Sequence, residues 1–199
     1  MSNVATNFRN PSLSLKRHAL LKELFKRAEG RHWSEEELGL YARSAPECVA
    51  RVHAAKAIAQ HESAVVEKTV SEIFASYAFL KHHAMSEIKA PRDITQVSVY
   101  ATAAMLMNDH DWLRDRVLLW LKTMLQAFVF PKREAANMRT LFGSRTASGN
   151  PAESMPQRKQ AVFETYSVLK RNYQQALDAA HFAQIEPYLQ QVIDTLSAD

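Results

Sequence analysis

Apolar side chains recur three and four positions apart over residues 12–28 (Leu13, Leu20, Leu21, Leu24, Phe25), with Gly30 beyond them. This spacing predicts an amphipathic helix closed by a glycine. Ser34 with Glu37 three positions on is a capping box opening a short helix through Tyr41, which ends before Pro46. Residues 47–77 carry Val49, Val52, Ala55, Ala59, Val65, Val66, Val70, Ile73, Phe74 and Tyr77, interrupted by the polar run Gln60-His61-Glu62-Ser63. That interruption predicts two helices, or one bent helix, packed through small alanines. Pro91 suits the first turn of a further helix, where its missing N–H costs nothing, running to about Asn108; Asp109-His110-Asp111 reads as the turn after it. Residues 112–130 place Leu113, Val117, Trp120, Leu121, Met124 and Phe128 on one face of a core helix that Pro131 closes. Residues 140–156 gather glycine, serine and proline as a loop, flexible over about 143–157, and helices over 157–180 and 182–196 end the chain.

Composition supports the same picture. Four glycines and seven prolines in 199 residues leave little of the punctuation that hairpins and sandwiches need, so the chain reads as all-α with about eight helices. A hydrophobic content of 47% is enough for one buried core, which predicts a single domain over 1–199, with 1–30 as an N-terminal helical extension and 31–199 as the core. No apolar run is long enough to span a bilayer, and the polar first eleven residues are unlike a signal peptide, so a cytoplasmic protein is expected. The net charge of +4 arises from bases interspersed with acids in every segment, which does not point to nucleic acid. The single cysteine, Cys48, excludes an internal disulfide and a cysteine-rich metal site.

The motifs of enzyme chemistry are missing. The chain has no glycine-rich phosphate loop, no serine elbow and no zinc-binding histidine pair around a glutamate, and Cys48 and His53 fall on roughly opposite faces of a helix. The expectation is that the protein is not an enzyme and holds no metal through a dedicated site. One cluster stands out: Lys89-Ala90-Pro91-Arg92-Asp93, where positions 89, 92 and 93 share a helix face that Gln96, Val97, Tyr100 and Ala104 extend. By spacing alone this cluster reads equally well as a solvated helix start, with Asp93 favoured by the helix dipole and paired to Lys89.

The order of motifs around that cluster resembles the phycobiliprotein superfamily, globin-like helical proteins that hold linear tetrapyrroles. In that family a helix opens with Lys-Cys-x-Arg-Asp. The cysteine forms a thioether to the bilin, the lysine and arginine neutralise its propionates, and the aspartate accepts hydrogen bonds from its pyrrole N–H groups. Here the passage reads Lys89-Ala90-Pro91-Arg92-Asp93. Upstream, Arg31-His32-Trp33-Ser34 with Glu37-Leu38, Ser44 and Arg51-Val52-His53-Ala54-Ala55 resembles the family's Arg-Tyr-Leu-Ser, Glu-Leu, Ser and Arg-Leu-x-x-Ala passage in the same order, and 63–69 is similar to its following helix. The resemblance covers roughly residues 12–131, and it is nearest to the bacterial bilin biosynthesis-associated globins, which also lack the attachment cysteine.

The resemblance implies a noncovalent bilin of the biliverdin or phycocyanobilin type, because Ala90 occupies the attachment position and Cys48 lies on another helix. Its charged contacts would be Asp93, Arg92 and Lys89; Tyr100, Trp120, Met124 and Phe128 would supply an apolar slot, and His83 a contact in the preceding loop. The implied role is that of a carrier, storage or chromophore-holding protein. It would work with bilin-metabolising enzymes and form homo-oligomers through its N-terminal helices. Two other readings stay open: a haem-binding sensor globin, with one of eight histidines as ligand, and a ligand-free helical assembly module.

Overall fold

The computed structural model describes residues 23–24, 26–27, 30–78, 80, 86–116 and 155–197. Every regular element among them is helical: α1 (Glu35–Ser44), a 3-10 turn (Pro46–Cys48), α2 (Val49–Ser76), α3 (Ser86–Met107), α4 (Met155–Ala176) and α5 (Ala179–Ser197). Residues 110–116 are helical as well. The all-α reading holds. The predicted helices over 12–28 and 112–130, which bring the expected number to about eight, fall largely outside the described residues.

The start of α1 follows directly from its sequence. Ser34 Oγ accepts from the Glu37 N–H at 3.2 Å, and the Glu37 carboxylate returns the bond to the Ser34 N–H at 2.7 Å. Arg31 adds a bidentate grip on the same carboxylate, 2.8 Å from each oxygen. The Arg31 bond, outweighing partial burial and helped by Ser34, draws the Glu37 carboxyl from the ordinary 4.5 down to about 2. A depressed carboxyl contributes stability that is present above the ordinary value and lost as pH falls through the lower one. Glu37→Gln therefore removes a stabilisation of about 1 kcal/mol at neutral pH, modest because Arg31 is half exposed. Thermal melts in which the variant and the wild type differ equally at pH 7 and pH 2 would contradict this.

Helix α2 is one continuous element of 28 residues, a correction to the expected break. Gln60, His61 and Ser63 lie on its exposed side, so the polar run is a wet stretch of one helix rather than an interruption. Its other side buries Val52, Ala55, Ile58, Val65 and Val66. Helix α2 packs on α3, α4 and α5, and α5 packs on α3 and α4 as well. The small Ala54 and Ala55, and Ala101 and Ala104 of α3, are all nearly or fully buried and let these helices approach closely. Helices α3 and α4 are joined across this core by Ser98 and Tyr173, whose hydroxyls lie 2.6 Å apart.

Two more boundaries differ from the sequence reading. Helix α3 begins at Ser86, five residues before Pro91, so the proline sits inside the helix and removes one bond of the ladder near its start. The last turn falls at Leu177 and Asp178 rather than near 181, because the Asp178 carboxylate caps α5 by accepting from the His181 N–H at 2.8 Å. The end of α3 was better legible. Asn108 adopts φ 54°, the left-handed conformation that asparagine tolerates, and the Asp109 N–H reaches back to the Ala104 carbonyl at 3.0 Å.

The N-terminal segment is tied to this core where it is described. Leu24 is 4% exposed within the main apolar cluster, and Trp33 packs edge-on against Tyr41 with centroids 5.5 Å apart. No helix of the described residues is long and apolar enough to cross a membrane.

Candidate functional site

The early start of α3 puts Lys89, Arg92 and Asp93 within regular helix, so the three charged groups share one face as their spacing requires. Lys89 and Arg92 are exposed, whereas Asp93 is half-buried. Burial pushes the Asp93 carboxyl upward, and the charges of Arg92 and then Lys89 oppose that only in part. Among the described residues Asp93 has neither a hydrogen bond nor a close ion pair. A carboxylate removed this far from water without a donor is costly unless something else supplies one.

The same face holds a second unsatisfied group. One turn after Asp93, the Gln96 side-chain N–H₂ is buried and finds no acceptor among the described residues. Gly30, at φ +84°, lies against it; a Cβ built there would stand 3.9 Å from Gln96 Nε2. Val97 and Ala104 are fully buried in the main core, so the face turns into ordinary packing as it leaves the charged end.

Ala90 has specific surroundings. It packs against a small apolar cluster of Ile73, Phe74 and Val168, joined by Val70, Tyr77 and Leu80 and separate from the main core. The end of α2, the start of α3 and the middle of α4 meet there. At the rim the Tyr77 hydroxyl donates to the Glu164 carboxylate, which pushes the Tyr77 phenol up to about 12. Nearby, Ile88 is 68% exposed, which leaves an apolar side chain in solvent beside two cations.

Of the sequence-predicted residues, Lys89, Arg92 and Asp93 are brought together. Tyr100 lies two turns further along α3, half-buried, with its ring edge-on to Trp112 at 5.9 Å. Trp120, Met124, Phe128 and His83 lie outside the described residues. Sequence reasoning missed Tyr166, a buried residue of α4 whose phenol feels the Asp93 charge. It missed the Ile73, Phe74 and Val168 cluster as a feature of the site as well. Each of these reads locally as a core position, and only the tertiary packing of α2 and α4 carries the cluster to Ala90 and brings Tyr166 within range of the Asp93 charge.

The histidines are placed otherwise. His32 is bonded to Glu62 at 2.7 Å, His181 to Asp178 at 2.8 Å, and His110 to Gln191 at 2.7 Å while stacked on Tyr188. His53 and His61 are exposed on α2. Cys48 is 5% exposed and accepts from Arg51 Nη2 at 3.0 Å, with His53 pointing elsewhere into solvent. Among the described residues no three metal-binding side chains come together.

The described residues form a helical core, of the globin-like class, in which a half-buried carboxylate and a buried amide N–H₂ find no partner among them, beside two exposed cations and an apolar cluster. The profile of the phycobilisome protein family matches residues 26–142, and the chain belongs to that family. No curated protein is similar enough to the chain to match it.

The family's ligand chemistry is that of bilins, and the residues present fit such a group. A linear tetrapyrrole offers N–H donors for Asp93, carbonyl oxygens that would accept from Gln96, carboxylates for Arg92 and Lys89, and flat apolar rings for the cluster around Ala90. The covalent anchor does not fit, because alanine has no nucleophile.

Proposed function

We propose that the chain binds a linear tetrapyrrole noncovalently and serves as its carrier, store or holder rather than as a catalyst. The observation that carries this reading is the half-buried Asp93 carboxylate, without a hydrogen bond among the described residues, with Arg92 and Lys89 on its face. Membership of the phycobilisome protein family supports it. So does Ala90, which gives the ligand an apolar contact where a thiol would have given a bond.

Each chemical role uses a side chain suited to it. Asp93 would orient and charge-stabilise the protonated pyrrole nitrogens. Arg92 would bind a propionate through two parallel N–H bonds, and Lys89 would act as a mobile point charge on the other. Hydrophobic burial then contributes most of the affinity, and the ionic contacts set the orientation. A protein that holds its pigment reversibly is suited to passing it to or from bilin-metabolising enzymes in the cytoplasm. The relation to the noncysteine bilin globins, and pairing through the N-terminal helices, belong to the same proposal.

Gel filtration with biliverdin tests both the binding and its mode. The pigment should elute with the protein and separate from it completely in acidic urea. Arg92→Ala should weaken binding by about 1–3 kcal/mol. Pigment that stays on the denatured chain would refute the noncovalent mode, and pigment that never co-elutes would refute binding.

A further inference from the structure

We propose that Asp93 and Gln96 together read a lactam group, so that the site selects a ring-opened tetrapyrrole over a closed macrocycle. The inference rests on the bilin-binding reading above and names the chemical feature by which that site chooses its ligand.

Asp93 and Gln96 stand three positions apart in regular helix, which makes them neighbours on one face of α3 with about 5–6 Å between Cβ atoms. Both are short of partners. The Gln96 Nε2 is buried and finds no acceptor, and the half-buried Asp93 carboxylate has no donor among the described residues. Gly30 lies against the amide with no side chain of its own, and a Cβ there would stand 3.9 Å from Nε2. The N-terminal segment thus covers Gln96 at this point without satisfying it. Past Gln96 the helix closes into the core: Val97 and Ala104 are fully buried, and the Ser98 hydroxyl is bonded to Tyr173. Toward Lys89 the same face opens to solvent. An acceptor for the amide therefore enters from the Asp93 end.

An acceptor followed one turn later by a donor calls for the converse pair on the ligand, an N–H beside a C=O. A lactam carries both on adjacent atoms. The Asp93 carboxylate has two oxygens, so one can take the lactam N–H while the other takes a pyrrole N–H. The terminal rings of a biliverdin-type pigment are lactams. A porphyrin has none, because its ring is closed and its nitrogens point inward. Propionates and flat apolar rings are common to both pigments, so Arg92, Lys89 and the cluster around Ala90 do not tell them apart. Asp93 and Gln96 do, through a penalty as much as through a bond. A porphyrin in this site would leave the buried amide without an acceptor and the carboxylate without that donor.

The test is a pair of affinity titrations of the full chain at neutral pH, one with biliverdin and one with metal-free protoporphyrin IX, which shares the propionates and lacks the lactams. The wild type should bind biliverdin at least about tenfold more tightly. Gln96→Met keeps the length of the side chain and removes the donor. It should weaken biliverdin about tenfold and tighten protoporphyrin, which no longer strands a buried amide. Thermal melts of the empty variant should match or exceed wild type, because an unpaired donor has been taken out of the interior. A variant that melts below wild type would show the amide to be satisfied within the chain and would overturn the pairing. Equal wild-type affinities for the two pigments, or an unchanged preference in Gln96→Met, would overturn it as well while leaving tetrapyrrole binding intact. A wild type that binds neither pigment would instead overturn the bilin reading itself.

Discussion

Asp93→Asn is expected to weaken binding of a protonated bilin by about 1.5–3 kcal/mol, roughly ten- to a hundredfold, because a charge-assisted hydrogen bond becomes a neutral one. The same substitution should make the empty protein more stable at neutral pH. Burial raises the Asp93 carboxyl above its ordinary 3.8. A raised folded-state value contributes stability that is full below 3.8 and lost as pH rises through the higher value. At pH 7 the empty site thus carries the cost of an ionised carboxylate with too few donors, and the amide removes that cost. Opposite signs for binding and stability mark a residue retained for its ligand. Thermal melts of the two empty proteins, with a biliverdin titration of each, check it; an Asn variant that is less stable and binds equally well would make Asp93 a structural residue.

Leu169→Ala should have the largest effect on folding, about 2–5 kcal/mol of lost stability by urea titration. Leu169 is fully buried between Tyr166 and Tyr173 on the face of α4 that packs into the main core. Truncating it leaves a cavity where the register of α4 is set, so bilin affinity should fall together with stability. A loss below 1 kcal/mol would mean that this part of α4 packs loosely against the core.

How much of this was legible in the sequence depended on how local each signal is. The capping box of Ser34 and Glu37 needs only residues a few positions apart, and it formed as the spacing required. The shared face of Lys89, Arg92 and Asp93 also depends only on helix periodicity, and it survived the wrong placement of Pro91. Breaks in polarity misled where packing was stronger: Gln60, His61 and Ser63 face solvent from an unbroken α2, which is held by its buried side. The groups from other helices that surround this helix start were not legible at all. Tyr166 comes from α4, more than seventy positions after Asp93, and looks like any aromatic on an apolar stripe. Ala90 could be recognised only as a missing cysteine. Its contact with Ile73, Phe74 and Val168, which gives the absence a physical meaning, required the fold.

The central claim is tested most directly by the absorption spectrum of biliverdin titrated with the purified wild-type protein at neutral pH. A half-buried carboxylate that stabilises the protonated pigment in an apolar site predicts a long-wavelength band that moves to the red, sharpens and saturates at micromolar protein. A pigment spectrum identical to that in buffer throughout the titration would contradict it.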